Sequence, residues 1–297
     1  MKYLVTGGAG FIGSNLIERL EQDILTEKIF VYDNLSTGKI ENLTTNCEHV
    51  KSLDFVPKVD VVFHLGMPSS SPMYKENPYL FGEAMDIIIK ILEFAHRNNA
   101  KLVYASSSSV YNGNPTPMHE DMPIMVTDYY TEIRYYLERM AQLYYQNKGL
   151  ESTGLRFFSV YGKNDWKKKQ YSNVVTQFAL EMLKGKTPLI FGDGEQRRDF
   201  IHVDDVVFAL RNAAKLGGYN ILNVGTGASD SFNDVIAMIN KRYNLDIKPE
   251  YTDNLIHNYV FDTLADTTKM RTKMYWRPKG FRINFHKYLD HLKEEFG

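Results

Sequence analysis

A short apolar strand that runs into a glycine turn and leaves it at once as a helix constrains this chain more than any other feature. Lys2-Tyr3-Leu4-Val5 leads into Thr6-Gly7-Gly8-Ala9-Gly10-Phe11-Ile12-Gly13, and Leu16, Ile17 and Leu20 follow at helical spacing. Glycines at 7, 10 and 13 let the chain turn tightly, bring backbone N–H groups against a pyrophosphate, and pack the helix close to the strand. A second strand ends in Asp33, about 20 residues past the last glycine, where a carboxylate accepts both ribose hydroxyls of NAD and repels the extra phosphate of NADP. A glycine-rich turn that binds no nucleotide would share the glycines, but not the strand, the immediate helix and the distant acid together. The expected cofactor cradle is therefore Gly7, Gly10, Phe11, Ile12 and Gly13, with Asp33, Asn34, Ser36, Thr37 and Gly38 along the adenosine and Leu65 and Gly66 at a neighbouring strand end. Asp54, with Phe55 beside it, is a candidate for the adenine, although a lone Asp at a strand end also serves as a turn or cap residue.

The rest of the first half repeats that rhythm. Short β-branched or aromatic runs at Lys28 to Asp33, Val59 to Leu65, Lys101 to Ser106 and Ser152 to Phe158 alternate with helical stretches at Ser14 to Gln22, Tyr79 to Asn98 and Tyr130 to Lys148. This alternation predicts a doubly wound α/β fold, with helices on both faces of a parallel sheet. After Gly162 the pattern breaks into a lysine-rich loop, a helix near Ser172 to Lys184 and turns such as Gly192 to Gly194. The expected division is a dinucleotide-binding domain over 1–165, rejoined by about 199–225, and a smaller interleaved substrate region over 166–198 and 226–297. With no proline-rich linker between them, the two are expected to pack around a cleft.

Bulk properties exclude several classes. The 297 residues carry 35 basic and 36 acidic side chains for a net charge of -1, so no strong field attracts nucleic acid or an anionic membrane. No apolar run approaches the roughly 18 residues of a membrane span. No signal-peptide pattern opens the sequence. The single cysteine, Cys47, cannot form an internal disulfide, and the 8 histidines show no metal-ligand spacing. The expectation is a cytoplasmic protein with no metal site.

A series of motifs then appears in fixed order: the glycine loop, Asp33-Asn34-Leu35-Ser36-Thr37-Gly38, His64-Leu65-Gly66, Ser106-Ser107-Ser108-Ser109-Val110-Tyr111, Arg156-Phe157-Phe158-Ser159-Val160-Tyr161-Gly162, and Gly192 to Asp205 with Arg197-Arg198-Asp199-Phe200-Ile201-His202 at its centre. Over about residues 1–210 this resembles the extended short-chain dehydrogenase/reductases of the NAD-dependent epimerase/dehydratase family, and most of all the UDP-glucose 4-epimerases. The resemblance implies a Rossmann fold, NAD, and a nucleotide-sugar substrate whose hydroxyl is shared by a serine and a tyrosine.

On that pattern Ser107, three residues before Val110-Tyr111, is the serine. Its place at the C-terminal end of a central strand independently faces the crevice where open α/β sheets bind ligands. Dehydratases of the family carry an Asp-Glu pair next; here Ser108 and Ser109 stand there, which argues against removal of water. The catalytic tyrosine of the pattern is matched by Tyr130, but the lysine four residues on is replaced by Arg134. Tyrosine is a weak base at neutral pH unless positive charge is near, which Arg134 and the cationic nicotinamide are expected to provide. A literal Tyr-x-x-x-Lys at Tyr144 and Lys148 lies roughly 21 Å farther along the helix and reads as surface decoration. Arg198 matches a family arginine that binds the substrate diphosphate, a task suited to a bidentate guanidinium.

Other positions depart from the pattern. Ser159 and Met85 replace two asparagines, and Ile256-His257-Asn258-Tyr259-Val260 lacks a second diphosphate arginine. Ser107, Ser108, Ser159 and Arg198 form the expected substrate set, with Trp276 and Lys167-Lys168-Lys169 as further candidates. The expected activity is 4-epimerisation of a sugar like that of UDP-glucose or UDP-galactose, through a transient keto sugar. The alternatives are a sugar dehydrogenase or reductase that releases NADH, and a weakly catalytic NAD-binding protein. By analogy with relatives, the helices at 79–98 and 130–148 are expected to form a homodimer.

Overall fold

The computed structural model describes residues 1–253 and 260–297 and divides into two compact units. The first comprises Met1–Asn112, Pro123–Phe157 and Val206–Leu222; the second comprises Gly113–Met122, Phe158–Asp205 and Asn223–Gly297. Against the expected division, residues 113–122, 158–165, 199–205 and 223–225 group with the second unit.

The first unit is built on β1 (Lys2–Thr6), β2 (Lys28–Tyr32), β3 (Cys47–Val50), β4 (Val61–His64), β5 (Lys101–Ser107) and β6 (Ser152–Phe157). Together with the strand Tyr219–Val224 they form a seven-stranded sheet in the order Tyr219–Val224, β6, β5, β4, β1, β2, β3. Every pairing from β3 across to β6 is parallel, with Thr6 beside both Tyr32 and His64. The central strands are buried along nearly their whole length because helices cover both faces, which is why they read as apolar runs rather than alternating ones. The helices of this unit include α1 (Phe11–Glu21), α2 (Ser71–Glu76), α3 (Leu80–Asn98) and α4 (Tyr129–Lys148). α3 and α4 bury Ile88, Ile91, Leu92, Ile133, Leu137 and Ala141 against Leu4, Val62, Leu102 and Tyr104 of the sheet. The chain leaves β1 toward β2 and β3 on one side and returns to β4 on the other. Strand order therefore reverses between β1 and β4, and ligands of open α/β sheets bind at such a reversal, beyond the carboxyl ends of the strands.

The second unit gathers α5 (Val174–Leu183), α7 (Phe232–Tyr243), α8 (Thr268–Met274) and α9 (Phe281–Phe296), with α6 (Val203–Ala213) starting in it. Its core packs Phe178, Met182, Phe232, Ile236, Phe285 and Leu289 around Tyr161, which meets Phe281 and Phe285 edge-on. Among the described residues no helix is long and apolar enough to cross a membrane.

Candidate active site

At the reversal the backbones of β1 and β4 come together through glycine. Gly7 has φ +67°, and a Cβ on it would stand 2.6 Å from the Cα of Gly66. A Cβ on Gly13 would stand 2.2 Å from the carbonyl oxygen of Gly7, so only glycine lets α1 start this close to the loop. Gly10 caps α1 without a side-chain acceptor, and Phe11 and Gly13 are buried in its first turn with Ile12 half-buried. Such a helix start offers its N–H groups to an anion, which fits a dinucleotide pyrophosphate.

Asp33 follows β2 and braces the loop, accepting from the N–H of Ala9 at 2.9 Å and from that of Leu35 at 2.8 Å. Each carboxylate oxygen keeps capacity for a further bond, so the placement fits a ribose hydroxyl. Asn34, Ser36 and Thr37 are exposed beside it, whereas Gly38 is buried against Ala9, where a Cβ would come within 2.8 Å of backbone. Asp54 sits in a short turn with Phe55, accepting the Ser52 hydroxyl at 3.0 Å while its own N–H bonds that hydroxyl at 3.2 Å. Leu65 and Gly66 both donate to Thr6, to its carbonyl and hydroxyl oxygens respectively. The Thr6 hydroxyl also lies 2.7 Å from Nδ1 of His64. A hydroxyl that accepts from Gly66 keeps one proton to give and one lone pair to offer, so the imidazole tautomer sets which of the two groups donates. Burial, with the Arg134 charge nearby, pushes the His64 pKa down to about 3.

Ser107 ends β5 and caps the following 3-10 turn, Ser108–Tyr111, by accepting from the N–H of Ser109 at 3.1 Å. Tyr130 lies in the first turn of α4. Asp128 caps that helix by accepting from the Thr131 N–H at 2.8 Å, and its other carboxylate oxygen accepts from the Ser71 hydroxyl, which ties the start of α4 to the start of α2. The half-buried Tyr130 ring lies 6.2 Å from that of Tyr74. Arg134, one turn on, is 4% exposed. Its guanidinium donates to the carbonyl oxygens of Ala105 at 2.8 Å and Pro68 at 3.0 Å, and stands 5.1 Å from the centre of the Tyr130 ring. The fork thus grips the chain just ahead of Ser107 while its central carbon stands over the tyrosine ring, and two nitrogens of one planar group reach two carbonyls, which suits a guanidinium better than an ammonium.

Tyr144 and Lys148 are more than surface decoration. Both donate to Glu93 of α3, at 2.6 and 2.5 Å, and clamp α3 to α4. Burial and the Glu93 carboxylate push the Tyr144 pKa up to about 12, the wrong direction for a general base.

Behind Ser107 lies a group that motif spacing did not single out. Glu138 and Arg156 are 3% and 4% exposed and form a two-pronged ion pair, with Nε to Oε1 at 2.9 Å and Nη2 to Oε2 at 2.6 Å. Burial works against the Arg156 charge, but the bonds and charge of Glu138 more than offset it and hold its proton above the ordinary arginine range. Ser106 donates to Glu138 at 2.6 Å, and Arg156 donates to the Tyr111 hydroxyl at 2.7 Å. Breaking such a pair from one side costs about 3–5 kcal/mol.

In the second unit Ser159 opens a short strand, Ser159–Tyr161, and its hydroxyl accepts from the Asn173 amide at 2.9 Å. Arg198 donates to the carbonyls of Arg197, Phe261 and Val260 at 2.8, 2.7 and 2.6 Å and lies 5.6 Å from the centre of the Phe232 ring. Next to it, Asp199 is fully buried and gathers the N–H groups of Thr226, Gly227 and Ala265, so the pair knits the segment after residue 259 to the loop after residue 224. Lys168 lies 3.6 Å from buried Asp165, and Trp276 lines a shallow cavity of about 380 Å³ with Arg271 and Arg277. The positions from Ile256 to Tyr259, where a second diphosphate arginine was sought, lie outside the described residues.

Comparison with known proteins places the chain in a family. The sequence profile of the NAD dependent epimerase/dehydratase family matches residues 3–225. A Methanocaldococcus jannaschii protein provisionally named UDP-glucose 4-epimerase is 36% identical over 250 residues, which covers 80% of each chain. The ADP-L-glycero-D-manno-heptose-6-epimerase of Brachyspira hyodysenteriae is 31% identical over 322 residues, covering 99% of this chain and 98% of that one. Among solved structures, UDP-glucose 4-epimerase from Thermotoga maritima with UDP-glucose matches with a TM-score of 0.93 and 28% identity, covering 100% of both chains. The chain therefore belongs to the NAD dependent epimerase/dehydratase family, and its cofactor is NAD.

Proposed function

We propose that the protein is a nucleotide-sugar epimerase that inverts a hydroxyl-bearing carbon of the sugar through a transient keto sugar. The observation that carries this reading is the placement of Arg134. One buried guanidinium bonds Ala105, two residues ahead of Ser107, and faces the ring of Tyr130. The serine strand and the tyrosine helix are thereby tied together at the carboxyl edge of the sheet, beside the glycine cradle.

NAD, when bound, supplies a reversible acceptor for the hydrogen on the sugar carbon. Ser107 holds the sugar hydroxyl, and the phenol oxygen of Tyr130 takes its proton and later returns it. Preorganised donors and a fixed substrate position then lower the barrier with little rearrangement. Nothing in this scheme changes the net redox state. Dehydration needs an acid and a base beside Ser107, and Ser108 and Ser109 have only hydroxyls. On the substrate side Arg198 is assigned to the diphosphate, sharing its guanidinium with the carbonyls of Val260 and Phe261.

UDP-glucose and UDP-galactose are the first substrate pair proposed, on the likeness to the M. jannaschii and T. maritima proteins. An ADP-heptose is the second, on the likeness to the B. hyodysenteriae enzyme over nearly the whole chain. The test is to release and quantify bound nicotinamide, then incubate the protein with UDP-glucose, UDP-galactose, their N-acetyl and uronic acid analogues, and ADP-heptose. Interconversion without net NADH is expected. Stoichiometric NADH release would replace the epimerase with a dehydrogenase, and bound NAD without turnover of any of these would leave a cofactor-binding protein.

A further inference from the structure

We propose that Glu138 is a positioning residue for the reaction: through Ser106 and Arg156 it holds both ends of the turn that presents Ser107 and sets that turn against the helix that presents Tyr130. The inference rests on the epimerase reading of the site.

Tyr130, Arg134 and Glu138 are four residues apart along α4, and each step of four advances about 6 Å and turns only about 40°, so the three share one slowly winding stripe. The two buried members of that stripe grip consecutive residues of β5. Arg134 bonds the carbonyl of Ala105, and Glu138 accepts from the hydroxyl of Ser106 at 2.6 Å. Ser107 is next in the chain and caps the turn Ser108–Tyr111. Tyr111, at the other end of that turn, is held by Arg156 at 2.7 Å, with the guanidinium 4.8 Å from the centre of its ring. Arg156 itself is fixed by both oxygens of Glu138. The Glu138 backbone carbonyl adds a further tie, accepting from the Tyr219 hydroxyl at 3.0 Å.

A single carboxylate is therefore bonded to the residue before Ser107 and, through one arginine, to the residue that closes the Ser107 turn. Ser106, Tyr111, Glu138 and Arg156 are all buried, and both oxygens of Glu138 are engaged. An apolar core would hold α4 against β5 without this arrangement, and more cheaply, because buried ion pairs seldom outperform well-packed apolar side chains. What the pair adds is direction: charge-assisted, two-pronged bonds fix orientation as well as distance. Ser107 and Tyr130 need that, since they come from different elements and act on one hydroxyl.

The test uses NAD-loaded protein with Glu138→Gln, Ser106→Ala, Ser106→Thr and Tyr111→Phe, comparing kcat, KM, the kcat–pH profile and bound NAD per folded chain. Ser106→Ala and Tyr111→Phe each remove one hydroxyl and leave the ion pair, so they report even where Glu138→Gln does not fold. The expected result is a kcat loss of about 10- to 100-fold for a small misplacement of reacting groups, with KM within a few-fold, bound NAD unchanged and the pH limbs in place. Ser106→Thr, which keeps the hydroxyl, restores most of the rate. Full kcat in folded Ser106→Ala and Tyr111→Phe would overturn the inference and leave the epimerase reading intact. A rate loss accompanied by a displaced pH limb would overturn it in favour of Glu138 as a proton-carrying group. Absence of turnover in the unaltered protein would overturn both readings.

Discussion

Arg134 occupies a position where the resembled pattern has lysine, and its surroundings show what the exchange entails. Its guanidinium reaches the carbonyls of Ala105 and Pro68 through separate nitrogens, while its central carbon stands over the Tyr130 ring. An ammonium is a compact point charge on a flexible stem that cannot reproduce that planar fork while keeping its charge over the ring. Arg134→Lys is therefore expected to lower kcat by roughly tenfold or more, and to lower stability by about 1–3 kcal/mol as a buried carbonyl loses its donor. Steady-state kinetics and denaturant unfolding would check both, and a rate gain would instead show that arginine handicaps an otherwise ordinary site. The contrast with Tyr144 and Lys148 is instructive. They satisfy the literal spacing, yet their shared partner Glu93 turns them into a clamp between helices. Spacing identifies neighbours on a helix; only the third partner decides what they do.

Among the elements, the loop from β1 to α1 leaves least room for change. The Cβ of Gly13→Ala would fall 2.2 Å from the carbonyl oxygen of Gly7 and 2.7 Å from the Cα of Gly8, and both obstacles are backbone. The loop or the helix must shift, and with either goes the line of N–H groups that an anion would meet. Gly13→Ala is expected to retain the fold and lose most bound NAD, read as nicotinamide released on denaturation. Full NAD content in this variant would remove the loop from the binding site. The clamp between α3 and α4 belongs to the same scale. It fixes the far end of α4, as Asp128 and Ser71 fix its start, so the helix bearing Tyr130 is held at both ends and, through Arg134 and Glu138, in between.

For the whole molecule, stability against acid is expected to carry the signature of His64. Burial and Arg134 hold its folded pKa at about 3, against an ordinary value of 6.5. Between those values the unfolded chain binds a proton that the folded chain refuses, so unfolding gains favour as pH falls. The contribution of His64 is fully present above about pH 6.5 and declines through that window with a slope approaching 1.4 kcal/mol per pH unit. His64→Gln, which cannot take up that proton, is expected to flatten the curve of unfolding free energy against pH by one proton's worth between 6.5 and 3. Denaturant melts at several pH values measure this, and parallel curves for the two proteins would refute it.

At that same scale the division between sequence and tertiary structure becomes clear. The alternation of apolar runs and helical stripes sufficed for the doubly wound fold, because burial on both faces forces continuous apolar strands and half-buried helices. Gly7, Gly13 and Asp33 were legible because backbone approach and a carboxylate at a fixed remove leave few other residue choices. Asp54, by contrast, could be read as an adenine contact or a cap from sequence, and the structure shows its bonds to Ser52. The partners of Arg134, the Glu138–Arg156 pair and the neutral state of His64 could not be read at all. Each depends on groups far apart in the chain, Arg156 18 residues from Glu138, His64 58 from Thr6 and Pro68 66 from Arg134. Residue types and local spacing determine which elements form; whether a buried charge finds its counterpart is decided only when packing brings those elements together and excludes water between them.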